Sequence, residues 1–206
     1  GNASQIVADL KKNFLPKLLL RYPGLQIDLE GQEKRTRDSL NDLETGFILA
    51  LMGIFFLLAT QFRSYIQPII IMIAIPFGLI GAIAGHLVMG MQITIISLFG
   101  IVALSGIVVN DSLILIDFIN RAVRSGEAVD DAVMESGKAR FRPVILTTLT
   151  TIAGLFPLLL EHSFQAQFLI PMAVSISFGL LFATVLTLLY IPAIYLIIED
   201  IRRIFR

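Results

Sequence analysis

Residues 100–116 read GIVALSGIVVNDSLILI, and the one charge in that run is Asp111, which follows Asn110. The run is too long for a strand and apolar on every face, a pattern a helix tolerates only inside protein or lipid. Extended to 94–119, it exceeds the roughly 20 residues needed to cross ~30 Å of hydrocarbon. Similar runs stand at 46–60, 67–88, 143–160 and 168–198. The chain is 56% hydrophobic with a mean hydropathy of +0.83, which agrees with a bilayer as its solvent. These runs predict an all-α membrane protein with five transmembrane helices. The first is short, so its helix is expected to reach back through Ser39–Thr45; the last is long enough to protrude or tilt. Pro68 and Pro143 read as helix starts, while Pro76, Pro157, Pro171 and Pro192 fall in spans or near their ends.

Working outward, the soluble character lies in residues 1–45, with 46–206 forming the membrane bundle. Ile6, Val7, Leu10, Phe14, Leu18 and Leu19 recur at helical spacing, and Tyr22-Pro23-Gly24 marks a turn. Leu25-Gln26-Ile27-Asp28-Leu29-Glu30 alternates as a half-buried strand does. One helix and one strand cannot build a core, so this is a short α/β remnant of a larger extramembrane domain. The polar start at Gly1 has no signal-peptide pattern and suggests an excised piece of a longer chain.

Arg63 lies in the 61–66 connection, and Arg121, Arg124, Lys138, Arg140 and Arg142 lie in 120–142. The tail adds Arg202, Arg203 and Arg206, whereas 89–93 and 161–167 contain no Lys or Arg. The positive-inside rule therefore places the C-terminus in the cytoplasm and the N-terminus outside. Residues 1–45 carry seven Lys and Arg against that assignment, but the rule is weak for long translocated domains.

An acid at a helix centre costs about 2.5–3.5 kcal/mol on insertion scales, so Asp111 is a functional candidate. It stands eight residues inside Ile119, roughly 12 Å deep at 1.5 Å per residue. Thr150 and Thr151 fall at similar depth on the next span, with Thr147 a turn shallower. If those spans pack, their hydroxyls would face the Asn110–Asp111 pair and could help it hold a proton. A structural hydrogen-bond hub is the alternative for Asp111. The threonines at 147, 148, 150 and 151 can equally back-bond to their own helix. Asp117 reads as an interfacial cap or ion-pair partner. Arg140 and Arg142 read as snorkelling anchors. Gly78, Gly81 and Gly85 give small-residue steps that suit helix packing. His86 and His162 have no ligand-spaced companions, so no metal is expected. With no Cys, no phosphate-binding loop, no nucleophile elbow and no HExxH, neither an enzyme nor a cofactor is indicated. Zero net charge points to no nucleic acid.

The order of several motifs resembles the C-terminal membrane half of the resistance-nodulation-division (RND) efflux permeases. They are Ala59-Thr60-Gln61-Phe62-Arg63-Ser64-Tyr65 with Pro68, Ala74-Ile75-Pro76-Phe77-Gly78, and Gly106-Ile107-Val108-Val109-Asn110-Asp111 through Asp117-Phe118-Ile119-Asn120-Arg121. Arg140-Phe141-Arg142-Pro143 through Thr147-Thr148 follows the same pattern, and Tyr22-Pro23-Gly24 with Leu29-Glu30-Gly31 is similar to the end of the second periplasmic loop.

The resemblance implies spans eight to twelve of a twelve-helix, homotrimeric proton–substrate antiporter in a bacterial inner membrane. Such a permease exports amphiphiles with a periplasmic adaptor and an outer-membrane channel. Residues 1–45 would close its porter domain, and the N-terminal half of the same permease would be the first partner, beside lipid. By position, Asn110 stands where drug exporters have the relay lysine, with Asp111 beside it; Arg140 and Thr147 match the relay arginine and threonine. Thr148, Thr151 and Asp117 are secondary candidates. Without the lysine the usual ion pair is missing, which implies a more symmetric relay. A non-transporting scaffold and a relative exporting lipid or metal ions are the other readings. The six Met form no ladder of ligands, which weighs against metal.

Overall fold

Without water to satisfy backbone groups, a membrane segment must close its hydrogen bonds within itself, and helices do so. In the computed structural model of the protein, which describes residues 9–22, 32–161, 163 and 165–204, no strand occurs among the described residues. The expected strand at 25–30 and His162 lie outside them, as does most of the periplasmic-loop resemblance.

Residues 1–46 and 47–206 form separate compact units. In the first, a π-helical turn at Leu10–Phe14 leads into α1, Leu15–Arg21. Pro16 has no N–H to continue an α-helical ladder through this point, and the Leu15 N–H instead reaches Leu10 O.

α2 is Gln32–Phe62. It ends at Arg63, whose φ of 51° puts a side-chain-bearing residue in the left-handed region at the turn. α3, Ile66–Met72, and α4, Ala74–Val88, form one span interrupted at Ile73. Pro76 accounts for the break, because it offers no N–H to the Met72 carbonyl and its ring crowds that oxygen. α5 is Ile95–Arg124, α6 is Val129–Leu159, and α7 is Ile170–Ile204 after a 3-10 turn at Ala166–Phe168. Among the described residues, five helices are long and apolar enough to cross a membrane.

Two sequence readings are corrected here. Pro143 lies inside α6 and does not begin it. The 120–142 connection is mostly helix, joined by a short turn at Ser125–Ala128. Gly126, at φ +99°, makes that turn, with its N–H on Val123 O and the Glu127 N–H on Ala122 O. The charges that read as loop sit on the outer side of an amphipathic helix: Ala132, Val133 and Ser136 are buried, while Asp130, Asp131, Glu135 and Lys138 are exposed. Ala132 and Val133 pack on Ile119.

Apolar burial does not drive helices together in lipid, so close backbone approach must. α7 is the centre, lying against α4, α5 and α6. A Cβ on Gly81 would stand 2.5 Å from Phe182 Cβ and 2.8 Å from Phe178 O, and one on Gly100 would stand 2.8 Å from Met172 O. Gly85 seats Phe178 directly, and Gly179 lies against Leu104 and Gly78 O. The small-residue steps at 81 and 85 therefore admit α7, whereas Gly78 makes room for Leu104 of α5 and lies with its carbonyl against Gly179. α2 is largely exposed along its apolar length and enters the core at Leu58 and Phe62, beside Ile71, Val109 and Ile191.

Candidate functional site

α5 and α7 run parallel, which fixes who meets Asp111. Asp111 lies about 24 Å from the start of α5, and Thr184 and Thr187 lie about 21 and 26 Å from the start of α7, at 1.5 Å per residue. All three line one small cavity whose apolar walls are Val108, Leu115, Val144 and Leu188. Asp111 is 9% exposed, Thr184 3% and Thr187 4%. The sequence thus places its costly acid against the hydroxyls of the last helix.

α6 reaches the site through Val144, in the cavity wall, and through one hydroxyl. Thr148 Oγ1 lies 2.8 Å from Thr184 Oγ1, both buried. The other α6 threonines turn to their own helix: Thr147 donates to Val144 O, Thr150 to Leu146 O and Thr151 to Thr147 O, at 2.8, 2.7 and 2.9 Å. Thr147 and Thr150 are exposed. The expectation that 147, 150 and 151 face the Asn110–Asp111 pair is therefore corrected in favour of 148, acting beside α7. Back-bonding won because in a helix the i−3 and i−4 carbonyls are always within reach, and a partner helix is not.

Asn110 and Asp111 diverge, as adjacent helical residues must. Asn110 is exposed, on a stripe with Phe99, Ala103 and Gly106, while Asp111 turns inward. Arg140 is not brought to Asp111: its guanidinium lies over the Phe118 ring, 5.0 Å from the centroid. Phe118 is about 10 Å further along α5 than Asp111. Arg140 Nε is buried without a hydrogen-bond partner among the described residues. Asp117 pairs with Arg121 one turn on, an exposed pair worth little by itself.

Two other buried polar clusters flank the site. Toward the C-terminal end of α5, Gln67 and Asn120 exchange both amide hydrogen bonds at 2.9 and 3.1 Å, and Tyr195 O–H donates to Asn120 Oδ1 at 3.0 Å. Toward its start, His86 is 3% exposed, with Nδ1 2.9 Å from Ala82 O and Nε2 2.8 Å from Ser97 Oγ. A carbonyl can only accept, so Nδ1 carries the hydrogen. Ser97 also closes the α5 capping box with Thr94, and Ser97 O accepts from Ser175 Oγ on α7 at 3.0 Å. His86 is thus a tie between helix ends.

Sequence reasoning missed Thr184, Thr187, Asn120, Gln67, Tyr195 and Ser97. For the first two a signal existed: threonines three residues apart on one face of an apolar run, at the depth of Asp111.

The chain has known counterparts. Residues 1–199 match the AcrB/AcrD/AcrF family. The swarming motility protein SwrC of Bacillus subtilis (strain 168) is 31% identical over 181 residues, which is 87% of this chain and 17% of SwrC. Two crystal structures of a heavy metal efflux pump, crystal forms II and I, each superpose with a TM-score of 0.75, at 28% and 29% identity. They cover 91% of this chain, which spans 19% and 20% of theirs.

Proposed function

The chain belongs to the AcrB/AcrD/AcrF family of RND permeases, and from that membership we propose that it is the C-terminal membrane portion of a proton-driven efflux antiporter. Asp111 is its proton-carrying group. The observation that supports this reading is a carboxyl held about halfway along a membrane-spanning helix, in a cavity walled by apolar side chains and two hydroxyls. An acid in such a place is costly unless taking up and releasing a proton is its task. Entry of each proton releases about 2.3 kcal/mol per 100 mV of membrane potential, plus the pH gradient.

The stripe Phe99, Ala103, Gly106 and Asn110 receives the N-terminal half of the permease, Asn110 standing where drug exporters place lysine. Arg140 and Thr147, which this chain does not bring to Asp111, belong to the same relay, and Asp117, Thr148 and Thr151 support it. The whole permease is a homotrimer in the bacterial inner membrane, working with a periplasmic adaptor and an outer-membrane channel. Residues 1–45 belong to its periplasmic porter domain and 46–206 to the membrane bundle. The basic ends at 63 and 121–142 face the cytoplasm, and α2 carries movement from the bundle to the porter domain. By itself this portion transports nothing.

The exported class is amphiphilic compounds. A second reading, metal ions, is favoured by the likeness to a heavy metal efflux pump. Loading cells with an amphiphilic dye or with a transition metal, and following proton-dependent efflux by the full-length permease, separates the two. In the same assay Asp111→Asn, at matched expression, abolishes efflux; wild-type efflux would refute the relay role.

A further inference from the structure

In the spans, hydroxyls habitually bond the carbonyl one turn back: Ser105 to Ile101, Ser112 to Val108, Thr150 to Leu146 and Thr151 to Thr147. Thr187 departs from that habit. Its Oγ1 is buried, with the residue 4% exposed, and it has no hydrogen-bond partner among the described residues. It lines the Asp111 cavity, which leaves about 10 Å³ open to the centre of a water molecule, the lower limit of what one water needs.

We propose that this cavity is a binding site for a single ordered water that bridges the Asp111 carboxyl and the Thr187 hydroxyl. A buried water needs two to four polar partners, and this one has three: Asp111, Thr187 and Thr184. Thr184 already shares one hydrogen with Thr148, and each hydroxyl keeps further acceptor capacity. A divalent cation such as Ca²⁺ takes six to eight oxygen ligands, more than these groups supply. Water also serves both states of the acid. It donates to the carboxylate, and when the carboxyl is protonated it accepts that O–H while donating to Thr187. The bridge makes α7, through Thr187, a reporter of whether Asp111 carries its proton, and Thr148 passes that state on to α6. This consequence rests on the reading of Asp111 as the proton carrier, whereas the water site itself does not. Thr187 acts through the water, so it is a positioning residue.

Infrared difference spectra of the full-length permease, recorded after exchange of H₂¹⁶O for H₂¹⁸O at fixed pH, test the site directly. An internal hydrogen-bonded O–H stretch that moves with the isotope is expected in the wild type. It disappears in Thr187→Val, which keeps the side-chain shape, and returns in Thr187→Ser, which restores the hydroxyl. No such band in the wild type, or one untouched in Thr187→Val, overturns the proposal; matching circular dichroism of the variants guards against misfolding. A separate pH titration of the carboxyl C=O stretch, assigned with Asp111→Asn, reads the proton-carrier role. If that stretch never titrates while the water band behaves as described, the carrier reading fails and the water site stands.

Discussion

Asp111 and Asn120 stand on the same helix, about 13 Å apart along its axis, and each is 9% exposed. Around Asn120 the polar inventory closes: Gln67 and Tyr195 supply partners from α3 and α7, so the amide is engaged in both directions. Around Asp111 it does not close, because Thr187 keeps an unused hydroxyl beside a small cavity. A closed cluster fixes the register of three helices and loses stability when cut. An open one leaves room for a hydrogen to arrive and depart. Burial alone would rank the two equally; the count of satisfied donors and acceptors separates them.

The sharpest way to break this comparison is to neutralise the acid. Asp111→Asn in the full-length permease lowers proton-dependent efflux by at least about tenfold, or ~1.4 kcal/mol. The thermal midpoint in detergent stays equal or rises, since a costly acid has been removed. Reduced efflux accompanied by a lowered midpoint would make Asp111 a structural hub like Asn120. The opposite pattern belongs to Asn120→Leu. It strands the Gln67 amide and the Tyr195 hydroxyl and costs about 2 kcal/mol of stability, read as a lower midpoint. The pH profile of efflux keeps its shape. A displaced pH profile would place Asn120 in the relay. Tyr195→Phe removes one of the three bonds and costs about 0.6 kcal/mol, the average for an interhelical hydrogen bond in a membrane, measured by the same unfolding assay.

The spans and the outlying acid were legible from the sequence because both depend on local composition: long apolar runs, and one charge where charge is expensive. The glycine steps on α4 were legible for the same reason, since only small residues permit so close an approach to α7. Asp111's partners were not. Residues at 148, 184 and 187 meet only once the crossing of α6 and α7 is known, and a stretch rich in threonine draws attention before two threonines in a leucine-rich run do. The charges at 130–142 misled because the exposed side of that helix dominates its composition. Ala132, Val133 and Ser136 already trace a helical face, and Pro143 interrupts one ladder bond without ending the helix.

The smallest expected effect is also the one that tests the choice between threonines. Thr150→Ala removes a hydroxyl that donates to Leu146 O on its own helix at 2.7 Å and is exposed on this chain. Such back-bonds slightly destabilise helices, so stability moves by less than about 0.5 kcal/mol, and proton-dependent efflux stays at the wild-type level. The measurement is most informative beside Thr148→Val, which cuts the 2.8 Å link to Thr184 and should reduce efflux while Thr150→Ala does not. Should the order reverse, Thr150 rather than Thr148 would be the working hydroxyl of α6. Asp111 would then be reached from outside this bundle, and its α7 hydroxyls would be packing.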